Sequence, residues 1–184
     1  MKFSYSEVKD AYERIKGYLP MTPIEESYYL GDESSKYFFK LESFQRAKSF
    51  KIRGALNKML TLTNEEKMAG VGTVSSGNHG SSVSYAASLL GIKNAVIIVP
   101  EKTPMSKIEK IEYFGAKVLV MGKDYDEAHL LGMNYIEKNK LTYIDAYYSD
   151  YKIYGGQGTV AIEILKQNEN IDTIVVSIGG GGLI

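Results

Sequence analysis

The sequence predicts an α/β protein built on a parallel sheet with helices on both faces. Three observations predict it. Short apolar, β-branched runs recur at 71–75, 95–99, 117–121, 142–144 and 173–178. Stretches with helical apolar spacing separate them, and strands that alternate with helices pair in parallel. Gly91, Pro100 and Gly115 close successive segments where a helix or strand should stop.

Taken in order, residues 6–18 predict an amphipathic helix, with Val8, Ala11, Tyr12, Ile15 and Leu19 on one face and Ser6 as a fair N-cap. Pro20-Met21-Thr22-Pro23 then breaks the chain. Residues 36–41 predict a strand and 51–60 a helix. A strand at 71–75 leads to a helix at 79–90, and a strand at 95–99 to a helix at 104–114. The latter has Pro104 at its start and Gly115 beyond its end, the expected asymmetry. A strand at 117–121, a helix at 124–138, a short strand at 142–144, a helix at 157–167 and a strand at 173–178 complete the series. The last strand runs into Gly179-Gly180-Gly181-Gly182.

Composition narrows the function. The 184 residues are 44% apolar and 24% charged, as in an ordinary globular protein. Lys plus Arg balance Asp plus Glu at 22 each, so no basic excess marks a nucleic-acid or membrane partner. Cys is absent, which excludes disulfides, thiol catalysis and thiolate zinc sites. No apolar run nears the roughly 20 residues that span a bilayer. The start, Met1-Lys2-Phe3-Ser4-Tyr5, carries no signal-like apolar core. A cytoplasmic protein is expected.

Three segments can carry chemistry. In Ser49-Phe50-Lys51-Ile52-Arg53-Gly54-Ala55, a lysine beside a phenylalanine at a helix start can be partly desolvated. Desolvation favours the neutral amine that attacks carbonyls. A surface lysine opening an amphipathic helix explains the same residues, and on local chemistry alone it is the better account. Ser75-Ser76-Gly77-Asn78-His79-Gly80 lies between a strand and a helix, where α/β ligand sites gather and a helix N-terminus favours anions. A substrate carboxylate would suit it, and a plain turn with Ser76 or Asn78 as N-cap suits it equally. The four glycines at 179–182 suggest close backbone approach to a phosphate, against the alternative of a flexible tail. They form neither the spaced dinucleotide fingerprint nor a P-loop. His79 and His129 are the only histidines, so no metal site is expected; His129 reads as a helix-surface residue. Gly155-Gly156-Gln157-Gly158-Thr159 reads as a packing and capping segment before a helix.

In their order, these segments closely resemble the fold-type II (tryptophan synthase β-like) pyridoxal-phosphate (PLP) enzymes, above all the threonine/serine dehydratase and serine racemase branch. Thr22-Pro23-Ile24, Lys40-Leu41-Glu42-Ser43-Phe44-Gln45, the Ser49–Ala55 and Ser75–Gly80 segments, Gly115-Ala116-Lys117-Val118, Tyr125-Asp126-Glu127-Ala128, Gly156-Gln157-Gly158-Thr159 and Gly179–Ile184 carry the resemblance. Two departures stand out. Lys48 occupies a position that is usually small, and Ser81-Ser82 replaces Gln-Ala.

The resemblance implies PLP as cofactor and L-threonine or L-serine as substrate. It implies that Lys51 bonds the cofactor and moves the substrate α-proton, with Ser76 as a second acid/base on the opposite face. Phe50 would pack beside the cofactor, Asn78 would hydrogen-bond its ring oxygen, and Gly179, Gly180, Gly181 and Gly182 would hold its phosphate. Ser75, Ser76, Gly77, Asn78 and His79 would grip the substrate. The implied reaction is β-elimination of water followed by deamination. Racemisation or β-replacement on the same fold are alternatives, as is an inactive module that only binds or assembles. The implied organisation is a small domain at 54–146 and a large PLP-binding domain at 1–53 and 147–184. Because the chain stops just after the glycine run, an N-terminal part with an incomplete large domain is expected. A homo-oligomer, dimer or tetramer, is expected too.

Overall fold

The computed structural model describes residues 3–146 and 150–184. The expected domain limit at 146/147 thus meets three residues outside the described ones, and the limit at 53/54 falls within a helix.

Helix α1 (Tyr5–Ile15) buries Val8, Ala11 and Ile15, the stripe expected, and its N-cap is Ser4 rather than Ser6. Strands β1 (Ile24–Gly31) and β2 (Lys36–Lys40) form an antiparallel hairpin, with Ile24 opposite Lys40. Asp32 Oδ1 closes its turn by accepting from the Ser34 and Ser35 N–H groups at 2.8 and 2.9 Å. β1 was not expected, because Ile-Glu-Glu-Ser-Tyr-Tyr is mostly exposed and alternates poorly. Helix α2 (Lys51–Leu60) is followed by α3 (Asn64–Ala69), also unexpected. Its signature was present, however: Thr63 and Glu66 form a reciprocal capping box.

The second sheet is the predicted one. Strands β3 (Val71–Val74), β4 (Ala95–Val99), β5 (Lys117–Val120) and β6 (Thr142–Tyr143) pair in parallel in the order β5-β4-β3-β6. Helices α4 (Asn78–Leu89), α5 (Met105–Glu112) and α6 (Tyr125–Lys138) connect them. Strand alternation sorts the core into two layers. Val71, Ile97 and Val99 meet Val83 and Ala86 of α4 with Ile52, Leu56 and Met59 of α2. Val74, Val96 and Ile98 meet Ala128 and Ile136 of α6 on the opposite face. Gly72 is required there, since a Cβ would lie 2.7 Å from Ile136.

Helix α7 (Tyr151–Gln167) begins six residues earlier than expected. Gly155 and Gly156 lie inside it, not before it. A Cβ on Gly156 would sit 2.5 Å from the Arg53 carbonyl, and one on Gly155 2.8 Å from that of Glu7. Their low helix propensity is outweighed by the close approach of α7 to α2 and α1. The strand expected at 173–178 does not form. A strand exists only by pairing, and no strand of either sheet pairs with these residues. Val175 there is 91% exposed. No described helix is long and apolar enough to cross a membrane.

Candidate active site

All four parallel strands end at one edge of the sheet. The turns after β3 (Ser75–Gly77) and β6 (Ile144–Ala146) therefore lie at the same carboxyl edge, where α/β sites form. The start of α2 reaches this edge as well. Lys51 Nζ donates to the Ala146 carbonyl at 3.4 Å.

Lys51 keeps only 9% of its surface. Burial pushes its pKa below the usual lysine range, and the Asp145 carboxylate opposes that shift. The Phe50 ring lies alongside, its centroid 5.5 Å from Nζ. Desolvation and an apolar neighbour are what the sequence expectation for Lys51 required.

His79 is buried on the first turn of α4. Its Nε2 lies 2.9 Å from the Ile144 carbonyl. A carbonyl only accepts, so Nε2 carries the proton and Nδ1 is left as an acceptor. Nδ1 has no partner among the described residues. Burial drives the pKa down to about 4 against the pull of the Ile144 bond, and the charge of Lys51 adds to the fall. The imidazole is neutral at pH 7.

The loop before His79 is tightly built. Gly80 lies against the Ser75 carbonyl, where a Cβ would come within 2.2 Å. The Gly77 N–H donates to Ser75 Oγ at 3.3 Å. Gly77 itself is the N-cap of α4 and supplies no side-chain cap; neither Ser76 nor Asn78 takes that role. The first N–H groups of this 12-residue helix are thus not capped by a side chain, and its positive end favours an anion. Ser81 and Ser82 turn their hydroxyls back onto the Gly77 and Asn78 carbonyls. Ser75, Ser76 and Gly77 are half-buried, and Asn78 is exposed.

The glycine run is placed differently. Gly179, Gly180 and Gly181 are exposed and Gly182 half-buried. A Cβ on Gly179 or Gly181 would meet no atom within 4 Å, and Gly181 has φ +77°. The structure thus brings Lys51, Phe50 and His79 together with the asparagine loop. It leaves the backbone of the run open.

Sequence reasoning missed the third wall, Ile144-Asp145-Ala146. Its carbonyls hold His79 and Lys51, and Asp145 acts on both groups and on Tyr143, whose hydroxyl burial pushes well above the usual tyrosine range. The available signal was its position just after a parallel strand. Lys48, noted as a departure, takes φ 64°, a left-handed conformation that costs a side-chain-bearing residue about 1 kcal/mol.

A parallel α/β sheet with a desolvated lysine at its carboxyl edge, beside an anion-favouring helix start, defines an enzyme scaffold for lysine-based carbonyl chemistry. Comparison with known proteins makes this specific. The chain belongs to the pyridoxal-phosphate dependent enzyme family, whose model matches residues 15–184. It is 39% identical over 183 residues to the L-threonine dehydratase catabolic TdcB of Staphylococcus aureus, covering 98% of this chain and 52% of that protein. Maize serine racemase superposes with a TM-score of 0.91 at 38% identity, covering 98% of this chain and 54% of that one. The processed form of threonine deaminase isoform 2 from Solanum lycopersicum gives 0.91 at 35%, covering 97% and 49%. The chain thus spans about half the length of the curated relatives it matches. The fold is fold-type II, as expected.

The residues present fit a PLP group. A buried amine of lowered pKa suits its aldehyde, a neutral histidine with an unpartnered acceptor lines the same wall, and the α4 N-terminus and open glycines suit anionic groups.

Proposed function

We propose that this chain serves a PLP-dependent threonine/serine dehydratase, which eliminates water from L-threonine or L-serine and releases a 2-oxo acid and ammonia. The carrying observation is the Lys51 amine, buried and shifted toward its neutral form beside the uncharged His79. The 39% identity to an L-threonine dehydratase supports the substrate class.

PLP, when bound, supplies the electron sink for carbanion chemistry at the substrate α-carbon. The chain's own residues do the rest. Lys51 would hold the cofactor through its neutral amine, and the same Nζ, once freed, would serve as the base for the substrate α-proton. Phe50 shields one side of that amine from water. The uncapped start of α4, with Ser75, Ser76, Gly77, Asn78 and His79, receives the substrate carboxylate. Asn78 would hydrogen-bond the cofactor ring oxygen, and Gly179–Gly182 would hold its phosphate.

Serine racemase activity is the second reading, favoured by the 38% identity to the maize enzyme and by the partly accessible Ser76, which would deliver a proton from the opposite face. Our reading also includes a small domain at 54–146, a cytoplasmic location and a homo-oligomer. Incubating the protein with PLP and L-threonine tests the assignment. An imine absorption band formed with PLP before threonine is added, and 2-oxobutanoate release once it is, are expected, both lost in Lys51→Ala. A band and product that survive Lys51→Ala would overturn the role of Lys51. D-serine from L-serine without 2-oxo acid would select the racemase.

A further inference from the structure

Two residues beyond Lys51, α2 carries Arg53, which is 1% exposed. At about 100° per residue the two side chains leave the helix on roughly opposite faces. Lys51 faces the 144–146 wall, whereas Arg53 faces α7 and the segment before α2.

All five guanidinium N–H groups are used. Nε and Nη2 donate to Glu42 Oε2 and Oε1 at 2.8 and 2.7 Å. Nη1 and Nη2 donate to Glu163 Oε1 and Oε2 at 2.6 and 2.8 Å. Nη1 also reaches Thr159 Oγ1 at 3.2 Å. Glu163 in turn accepts from Lys40 Nζ at 2.6 Å, whose other donors reach the Thr22 carbonyl and Gln167 Oε1, both at 2.8 Å. Two cations and two carboxylates thus cancel, with α2, α7, β2 and the turn before the helix meeting at one guanidinium.

Such a cluster is a poor way to gain stability, because burying four charges costs desolvation that apolar packing avoids. Its geometry is informative instead. A planar fork gripping two carboxylates at once fixes orientation as a point charge cannot. Phe50, the N-cap of α2, contributes no side-chain bond. The Gly54 N–H instead donates to Gln157 Oε1 of α7 at 3.1 Å, and Gly156 lets the two helices touch. The first turn of α2 is therefore held from α7 on the face away from the reacting amine.

We propose that Arg53 is the positioning residue for Lys51: its double fork to Glu42 and Glu163 locks the rotation of the first turn of α2 and keeps the Lys51 amine pressed against the Ala146 wall, out of water. This rests on the reading of Lys51 as the reacting amine, but its test needs neither cofactor nor turnover.

Competitive labelling of the whole protein with trace acetic anhydride, read per lysine by mass spectrometry across pH, reports the ionisation and reactivity of each amine. In the unsubstituted protein Lys51 should titrate below the ordinary lysine range. Arg53→Lys keeps the charge but loses the fork. In it the Lys51 titration should move up toward the ordinary lysine range, while lysines outside the cluster stay unchanged. Glu42→Gln, at the rim of the cluster, should move it in the same direction by less, and it reads the same quantity if Arg53→Lys fails to fold. Ile136→Val, on the far face of the sheet, should lower the melting temperature without moving Lys51. A folded Arg53→Lys or Glu42→Gln protein with Lys51 titrating as before would overturn the positioning role. Lys51 titrating in the ordinary lysine range in the unsubstituted protein would instead overturn the reading of Lys51 as the reacting amine.

Discussion

His79 and Lys51 are held by the same stretch of chain: the ring donates to the Ile144 carbonyl at 2.9 Å and the amine to the Ala146 carbonyl at 3.4 Å. Residues from two helices are thus registered against three residues beyond β6, with Asp145 between the two anchoring residues in the chain.

That arrangement makes Asp145 the group that tempers both neighbours. Its charge raises the pKa of Lys51 and of His79 against the larger effect of burial. Asp145→Asn should therefore lower the Lys51 pKa further. Per-lysine labelling against pH checks this, and an unchanged or raised Lys51 midpoint would contradict it.

His79 should make stability depend on pH. Its folded pKa of about 4 lies below the ordinary value of 6.5. The unfolded chain therefore binds more protons between these values, and stability rises with pH across that window. The contribution is complete above pH 6.5 and is lost as pH falls toward 4, up to about 3 kcal/mol in all. Urea unfolding of the protein and of His79→Gln at pH 5 and pH 7.5 measures it. The substituted protein should lose much of the pH difference.

Gly80→Ala should be disruptive beyond its size. The added carbon would meet the Ser75 carbonyl at 2.2 Å, a backbone atom that cannot swing away. A cost of about 1–3 kcal/mol is expected, as for overpacking. Gly91→Ala offers the contrast: it has open space and is strained only by its φ of +66°. Denaturant midpoints of the two variants separate steric conflict from conformational strain. Binding of an anionic substrate should suffer only in Gly80→Ala.

Thr63→Ala should cost about 1 kcal/mol by removing the capping box of α3. It lies away from the site, so the labelling profile of Lys51 should not change. Chemical denaturation and the same labelling measurement check both halves.

Much of this architecture is written in short-range pattern. The alternation from Val71 to Tyr143 announced the parallel sheet, because buried strands are apolar runs and glycine or proline ends them. The site was legible as position: Lys51 at a helix start and His79 in a turn after a strand. What was hidden depends on distant contact. Gly155 and Gly156 read as a packing and capping segment ahead of a helix, yet they lie inside α7 and permit it to touch α1 and α2. Residues 173–178 have the composition of a strand but no partner among the described strands. Asp145 and Arg53 look like ordinary charged residues until folding brings 145 to 51 and 163 to 53.

The Arg53 cluster also orders events in time. Glu163 lies 110 residues after Arg53 and 123 after Lys40. On a ribosome, both cations leave the exit tunnel long before Glu163, the carboxylate they share, has been synthesised. The parallel sheet of residues 71–143 can assemble in that interval, but the grip of α7 on α2 cannot. The amine of Lys51 thus acquires its sheltered setting only after Glu163 has been made.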